Sequence, residues 1–259
     1  MSKPRYFPYI SKKPARNSGV NDGFELTTSS HGRYGTESDH DNPLLIPNEW
    51  IASNIAQHLR LPVPPFALLK NAKDQPLFAS LHVTREPAPP GTDPEKCIAL
   101  DERLCAGITV FDAFVANTDR WSGNILVDDL WNPSWMQIID NDRAVFGCMP
   151  GDELKRLSQL SIRTGLLAPD WPGACRHCLI DHLTDAMRIH EWLLRIESIP
   201  DWFLSDICHE IVGNGISRNL AEAAYGFLRE RKRSLRGLVY NIRQEFSQVR
   251  PDYVWGFIQ

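Results

Sequence analysis

Two polar side chains that could move a proton or hold a metal ion, Asp119 and Asn124, stand in the segment ANTDRWSGNILVDD. The apolar run Ile-Leu-Val follows Asn124 at once and predicts a short strand. Further along the chain, the apolar run MQII ends on Asp140 and predicts a second strand. An acid, an amide and a second acid therefore border two predicted strands. Such side chains can act as a general base and as ligands of a hard cation.

The spacing of these residues predicts that they meet in space. The turn LWNPSW is centred on Asn132, with Asn124 eight residues before it and Asp140 eight residues after it. In a β-hairpin with a symmetric loop, Asn124 and Asp140 become direct cross-strand partners, about 5 Å apart. Asp119 lies in the loop before Asn124 and would reach the same pocket. The alternative is that Asp119 and Asn124 are turn residues and Asp140 begins a loop, because both residue types favour turns.

The offsets match the layout of phosphoryl transfer, in which an aspartate serves the nucleophile and an asparagine and a second aspartate hold Mg2+. The segments FDAFVANTDRWSGNILV and IIDNDRAVFG resemble the HipA-like kinases. The same D-R-x-x-x-N and I-D core is similar to that of the phosphatidylinositol kinases, which share a kinase-like catalytic lobe. The stretches NEWIASNIAQHLRLPVPPFALL and EWLLRIESIPDWFLSD also resemble HipA-like kinases. The resemblance covers most of residues 17–240.

The resemblance implies an α+β, bilobal, protein-kinase-like fold and an ATP- and Mg2+-dependent serine/threonine kinase that acts on a protein substrate. It implies that Asp119 is the catalytic base and that Asn124 and Asp140 are Mg2+ ligands. It places Glu49 where the family has a helix glutamate that pairs with the nucleotide-binding lysine. The resemblance also allows for a protein partner such as an antitoxin.

The glycines of SGVNDG, residues 18–23, stand where the family's phosphate-covering loop begins. The resemblance therefore implies that Gly19 and Gly23 contact the nucleotide. Asp142 stands where the family usually has a glycine, two positions after the metal-binding aspartate. A carboxylate at this position either adds a metal ligand or weakens the site.

The chain departs from the family at the lysine that contacts the ATP phosphates. Family members carry this lysine at the end of an apolar strand, but no lysine lies between Lys13 and Lys70 here. Glu37 or Ser38 occupies the expected place, in a segment that is polar rather than strand-like. Glu49 would then have no partner. Arg33 could substitute, because a guanidinium also grips phosphate, although it stands several residues early.

Two interpretations follow from this departure. The chain is either a working phosphotransferase with a rearranged nucleotide clamp, or a pseudokinase or binding module that keeps the fold and has lost the lysine. Retention of Asp119, Asn124 and Asp140 favours the first, because loss of function would be expected to reach these buried polar groups too.

The surrounding sequence predicts the elements that position these residues. Residues 1–90 are expected to form a small, degenerate nucleotide-clamp lobe with strands, including one at 23–27, and with a helix from Pro47. Residues 91–259 are expected to form a helical catalytic lobe built around the hairpin. Asp101 is expected to cap a helix that runs to about Ala116.

Composition excludes several other classes of protein. The net charge is -4, which gives no general attraction to nucleic acid or to an anionic membrane. No apolar run approaches the roughly 20 residues of a membrane span, and the start of the chain has no secretory h-region. Six scattered cysteines fit a reducing compartment. We therefore expect a cytoplasmic protein.

Two further motifs have competing interpretations. CRHCLIDH offers Cys175, Cys178 and His182 for zinc, but no fourth ligand is evident and packed thiols are favoured. The basic run RERKRSLR, residues 229–236, could face nucleic acid or an acidic partner, and a solvated helix face is favoured over either.

Overall fold

The computed structural model describes most of the chain, and for the first four strands it describes the backbone only. The described residues are 6–7, 9–14, 23–28, 33–37, 44–70, 76–81, 91–147, 151–167, 175–249 and 255–258.

A six-stranded sheet forms the first half of the described chain. Its strands are β1 (Tyr6–Phe7), β2 (Tyr9–Pro14), β3 (Gly23–Thr28), β4 (Arg33–Glu37), β5 (Phe66–Lys70) and β6 (Pro76–Leu81). The spatial order is β1-β5-β6-β4-β3-β2, with β1 parallel to β5 and all other neighbours antiparallel. The predicted strand at 23–27 is confirmed as β3.

Residues 33–37 form β4, so the expectation that this polar segment is not a strand is wrong. β4 is a central strand that pairs with β3 on one side and with β6 on the other. Ladder hydrogen bonds on both edges favour the extended backbone here, because strand preference depends on neighbours more than on residue type. Glu37 ends the strand and pairs with Gly23 and Phe78.

Helix α1, Leu45–His58, packs against the sheet and begins two residues before the predicted Pro47. Its Trp50 ring meets the ring of Phe66 edge-on, with centroids 5.8 Å apart. The Phe66 ring stacks on that of Phe78 at 5.7 Å. This aromatic row holds α1 against β5 and β6. It thereby sets the position of the neighbouring α1 residues Asn48 and Glu49, which contact the helical part of the molecule.

Helix α2, Pro94–Val115, bends at Asp101, where φ is −159° and ψ is 89°. The Asp101 carboxylate accepts a hydrogen bond from the backbone N–H of Leu104 at 2.9 Å. Asp101 therefore caps the second part of the helix, as predicted, while Asp93 caps the first part through Glu95 N–H.

The remaining elements are a two-stranded hairpin and four helices. They are β7 (Ile125–Val127), β8 (Met136–Ile138), α3 (Glu153–Leu160), α4 (Ala186–Glu197), α5 (Asp201–Glu210) and α6 (Arg218–Asn241). Helix α6 packs against α2, α3, α4 and α5 and so forms the centre of the helical region. Among the described helices, none has both the length and the apolar composition that crossing a membrane requires. The predicted boundary between residues 90 and 91 adjoins undescribed residues and stays a prediction.

The basic run at 229–236 is engaged inside the molecule, so the expectation of a solvated face holds for only part of it. Arg231 is buried and its guanidinium donates to the carbonyl oxygens of Ala113 (2.8 Å), Thr164 (2.8 Å) and Leu160. Burial lowers the pKa of this guanidinium below its usual range. The side chain thus satisfies carbonyl groups at the ends of α2 and α3.

Replacement of Arg231 by Met should lower the free energy of unfolding by on the order of 3 kcal/mol, because buried carbonyl groups would lose their donors. Thermal unfolding should then occur roughly 10 °C lower. Arg233→Met on the same helix is the matched control, since this side chain is 60% exposed and should change the melting temperature little. Equal melting temperatures for the two variants would show that Arg231 is not a structural cap.

Candidate active site

A buried ion pair between Arg120 and Asp112 organises the site. Arg120 Nε donates to Asp112 Oδ2 at 2.8 Å, and Nη2 donates to Oδ1 at 3.1 Å. The same guanidinium donates to the carbonyl oxygens of Asn124 (3.1 Å) and Ile139 (2.6 Å), and to Asn141 Oδ1 (2.7 Å). Arg120 therefore ties α2, the loop 116–124 and the segment after β8 to one point.

Asp112 is held in its ionised form by its other neighbours. His177 Nδ1 accepts a hydrogen bond from Leu179 N–H at 3.2 Å, so Nε2 carries the hydrogen and donates to Asp112 Oδ2 at 3.0 Å. Asn117 Nδ2 donates to Asp112 Oδ1 at 3.0 Å. Burial alone would raise the pKa of Asp112, but the charge of Arg120 and the hydrogen bond from His177 lower it to about 2.

The loop 116–124 presents Asp119 with its backbone braced on two sides. Ala116 ends α2 in the left-handed region, with φ of 54°, which turns the chain toward the hairpin. Asn117 Oδ1 accepts a hydrogen bond from Asp119 N–H at 3.1 Å. Asn124 Nδ2 donates to the Asp119 carbonyl oxygen at 2.8 Å. Both hydrogen bonds use the backbone of Asp119, so neither occupies its carboxylate.

The Asp119 carboxylate is 18% exposed and has two side-chain neighbours. Arg143 Nε lies 3.2 Å from Oδ2 in an ion pair, and the Cys175 thiol donates to Oδ1 at 3.5 Å. Burial raises the pKa of Asp119, and the charge of Arg143 opposes this rise. A partly exposed carboxylate with a raised pKa is suited to accept a proton from a bound hydroxyl.

The hairpin register differs by one residue from the prediction, so Asn124 and Asp140 are not direct cross-strand partners. Ile125 pairs with Ile138, and Ile139 N–H donates to the Asn124 carbonyl oxygen at 3.1 Å. The turn lies symmetrically between Val127 and Met136, which moves its centre half a residue from the one we predicted. Asp140 lies just past the ladder.

The backbone leaves the strand at Asp140, where φ is 58°. Aspartate tolerates this left-handed conformation better than most residues do. The change of direction brings the Asp140 carboxylate within electrostatic range of Asp119 and Glu49, whose pKa values its charge raises. The predicted convergence of acids at this end of the hairpin is therefore present, by a different register.

Asp140, Asp142 and Glu49 form a carboxylate cluster in which Glu49 and Asp142 are buried and Asp140 is half-buried. Asp140 Oδ1 is buried and has no hydrogen-bond partner among the described residues. Burial, and next the negative charge of Asp140, raises the pKa of Glu49 and of Asp142 to about 8. Asn124 commits its amide nitrogen to Asp119, which directs the amide oxygen elsewhere. Carboxylate and amide oxygens are the donor set that Mg2+ prefers.

Among the described side chains, no three from His, Cys, Asp and Glu form a ready-made metal cage. This finding applies to Cys175, Cys178 and His182 and equally to Asp140, Asp142 and Glu49, so a metal ion at either place would need ligands besides these side chains. It agrees with the usual Mg2+ site, in which few carboxylates bind the ion and water and phosphate oxygens complete its shell.

Glu49 has a partner, contrary to expectation, and this partner is Asn141. The backbone N–H of Asn141 donates to Glu49 Oε1 at 2.5 Å. The preceding residue of α1, Asn48, donates to the carbonyl oxygens of Asp142 and Gly147, the latter at 2.9 Å. Helix α1 therefore holds the segment that follows β8 by hydrogen bonds from two consecutive side chains.

The other nucleotide-binding predictions fall at the edge of the described chain. Gly19 lies outside the described residues. Gly23 begins β3 and pairs with Glu37. The roles of both glycines stay predictions.

Sequence reasoning missed Arg120, Asp112, His177 and Asn48. Each is a buried polar residue next to an apolar run, and burial of such a residue indicates a partner. The sequence shows these residue types but not the partners, which lie up to 99 positions away.

Replacement of Glu49 by Gln should stabilise the metal-free protein at alkaline pH. The folded pKa is about 8 against an ordinary value of 4.5, so the stability of the wild type should fall as pH rises from 4.5 to 8. Glutamine keeps an acceptor for Asn141 N–H and carries no charge at any pH.

Thermal unfolding in EDTA should therefore give similar midpoints for both proteins at pH 4. The midpoint of Glu49→Gln should exceed that of the wild type as the pH rises, by on the order of 5 °C at pH 8. Glu230→Gln, at a site with a 66% exposed side chain, should follow the wild type throughout. A less stable Glu49→Gln protein at pH 8 would contradict the assignment.

No protein-family profile matches this sequence, and no curated protein matches it. Among solved structures, the proinflammatory kinase CtkA of Helicobacter pylori superposes with a TM-score of 0.62 at 15% identity, over 93% of this chain and 98% of CtkA. The Golgi casein kinase, solved with Mn and ADP bound, gives a TM-score of 0.43 at 11% identity, over 95% of this chain and 74% of that one.

HipA of Shewanella oneidensis, in complex with HipB and operator DNA, gives a TM-score of 0.35 at 14% identity, over 96% of this chain and 63% of HipA. Two of these scores are below 0.5, so the fold assignment rests on CtkA. CtkA is a kinase, so this likeness agrees with the kinase-like fold that the resemblance predicted. The chain has the α+β, bilobal fold of a protein kinase.

Proposed function

We propose that the protein is an ATP- and Mg2+-dependent kinase that phosphorylates a serine or threonine hydroxyl of a protein substrate. The observation that carries this proposal is the arrangement around Asp140. Its buried oxygen has no hydrogen-bond partner among the described residues, and it stands between a braced Asp119 and further carboxylates. Several carboxylates placed together are costly unless protons, neighbouring guanidinium groups or a bound metal ion offset their charge, and a metal ion is the partner that a kinase site would add.

Asp140, Asp142 and the amide oxygen of Asn124 would hold Mg2+ in this proposal. The bound ion would supply positive charge to the phosphate oxygens as the phosphoryl group is transferred. Nucleotide would lie between the sheet lobe, residues 1–90, and the helical lobe, residues 91–259, with Gly19 and Gly23 near its phosphates. The described cysteines are free thiols, which supports a reducing, cytoplasmic location.

Asp119 would bind and orient the acceptor hydroxyl. As the acceptor oxygen forms its bond to the γ-phosphorus, the bond from that phosphorus to the β,γ-bridging oxygen breaks, and ADP leaves. The acceptor proton passes to the Asp119 carboxylate. Asn117 and Asn124 keep this carboxylate in place through its backbone, and a displacement of about 1 Å would be costly for the rate.

Incubation of the purified protein with labelled ATP and Mg2+ should show ATP loss and labelling of the protein itself. Asp119→Ala should lower the rate by about 100-fold or more, because the base is removed. Asp119→Asn is the matched variant, since its amide keeps the shape of the side chain and should still bind nucleotide.

Binding is measured beside turnover by thermal shift with ATP, in Mg2+ and in EDTA. Asp140→Asn should lose the Mg2+-dependent part of the shift. If the wild type and its variants all bind nucleotide and none of them consumes ATP, the protein is a pseudokinase. No turnover and no ATP-dependent shift in the wild type would exclude both the kinase and ATP binding.

A further inference from the structure

We infer that Arg143 contacts the γ-phosphoryl group of bound ATP and supplies positive charge in place of the lysine that the kinase pattern leads one to expect. This inference rests on the proposed function and adds a residue that takes part in nucleotide recognition.

The position of Arg143 follows from its contact with the proposed base. Its Nε lies 3.2 Å from Asp119 Oδ2. An acceptor hydroxyl bound to that carboxylate would be about 2.7 Å from it and about 3–3.5 Å from the phosphorus under attack. A guanidinium in contact with Asp119 is therefore no more than about 9 Å from the phosphorus of the transferred group, and a movement of at most about 5 Å would bring it into contact with a phosphate oxygen.

The negative charges around the site favour a cation at the position of Arg143. Asp119, Asp140, Asp142 and Glu49 are all acids, and the charge of Asp140 raises the pKa values of the other three. The phosphates of ATP would add further negative charge. Arg143 lies among these acids and its charge lowers the pKa values of Asp119 and Asp142.

The other guanidinium of the described site, Arg120, cannot perform this role. It is buried, and each of its nitrogens donates to Asp112, to Asn141 or to a backbone carbonyl. Any movement toward a nucleotide would break the bonds that hold the loop 116–124. Arg143 is different, because its side chain is 16% exposed and its ion pair reaches the surface of the site.

The backbone on both sides of Arg143 is held by hydrogen bonds. Asn48 donates to the carbonyl oxygen of Asp142 on one side and accepts from Phe146 N–H at 3.0 Å on the other. Phosphate oxygens can replace the Asp119 carboxylate as acceptors of the guanidinium, so binding of ATP would exchange one anionic partner for another. The planar fork of arginine binds phosphate with two parallel hydrogen bonds.

Arg33, the substitute that the sequence suggests, lies at the wrong end of its strand. It begins β4, whereas Glu37 ends the strand at the place expected for the lysine. Four residues of extended chain separate their Cα atoms by about 13 Å. The helical region is therefore the better source of the cation.

The test compares the affinities of AMP-PNP and ADP in Mg2+ by isothermal titration calorimetry. The wild type should bind AMP-PNP about tenfold more tightly than ADP, because only AMP-PNP carries the γ-phosphoryl group. Arg143→Met should weaken AMP-PNP binding to the level of ADP and leave ADP binding unchanged. Arg143→Lys keeps the charge and should retain part of the difference. Arg188→Met, which removes an exposed ion pair on α4, should match the wild type.

The outcomes separate this inference from the proposed function. If Arg143→Met and Arg143→Lys both keep the wild-type preference for AMP-PNP, Arg143 does not touch the γ-phosphoryl group and the kinase proposal stands. Tighter AMP-PNP binding by Arg143→Met would show that Arg143 opposes nucleotide binding through its ion pair with Asp119. This result would also overturn the inference. If the wild type binds neither nucleotide, both proposals fail.

Discussion

The buried pair of Arg120 and Asp112 is the constraint on which the rest of the site depends. Removing two charges from water is costly, and a buried pair is tolerated only when further hydrogen bonds satisfy both groups. Here His177 and Asn117 complete the shell of Asp112, while carbonyl oxygens at 124 and 139 complete that of Arg120. These partners come from separate parts of the chain. The loop with Asp119 and the strand end with Asp140 can therefore not shift independently without leaving a buried charge exposed to an apolar core.

Helix α1 applies the second constraint, and it acts from the sheet side. Asn48 and Glu49 contact the segment that follows β8 through its backbone, so the position of the acids at 140 and 142 depends on how α1 sits against the sheet. The aromatic row from Trp50 to Phe78 sets that position. In the pattern expected from the sequence, Glu49 would bind a lysine. In this structure it binds the segment that follows β8 directly, which couples the sheet lobe to the helical lobe without a lysine.

Local features of the site and the fold could be predicted, because they depend on short-range chemistry. Asp101 caps a helix three residues on, and the acid and the amide of the loop stand beside a strand that periodicity reveals. Pairing over distance could not be predicted. β4 is a strand because two neighbours bond to it, and the hairpin register shifts by one because an even-numbered turn has no central residue. The structural role of Arg120 could not be predicted either. Arginine is usually exposed, and only the structure shows that this one is buried and joins several segments by hydrogen bonds.

The same burial that strains the carboxylate cluster also prepares it for a cation. Because burial and the charge of Asp140 raise the pKa values of Glu49 and Asp142, these two carboxyl groups keep their protons to higher pH in the metal-free protein than ordinary carboxyl groups do. The protons then relieve the repulsion around Asp140 that a divalent ion would otherwise relieve. Ligands must lose their protons before they bind a metal, so loading of the site is coupled to proton release and strengthens as pH rises. A fold held by Arg120 and α1 can therefore stay intact without metal, as the proposed reversible binding of Mg2+ and nucleotide requires.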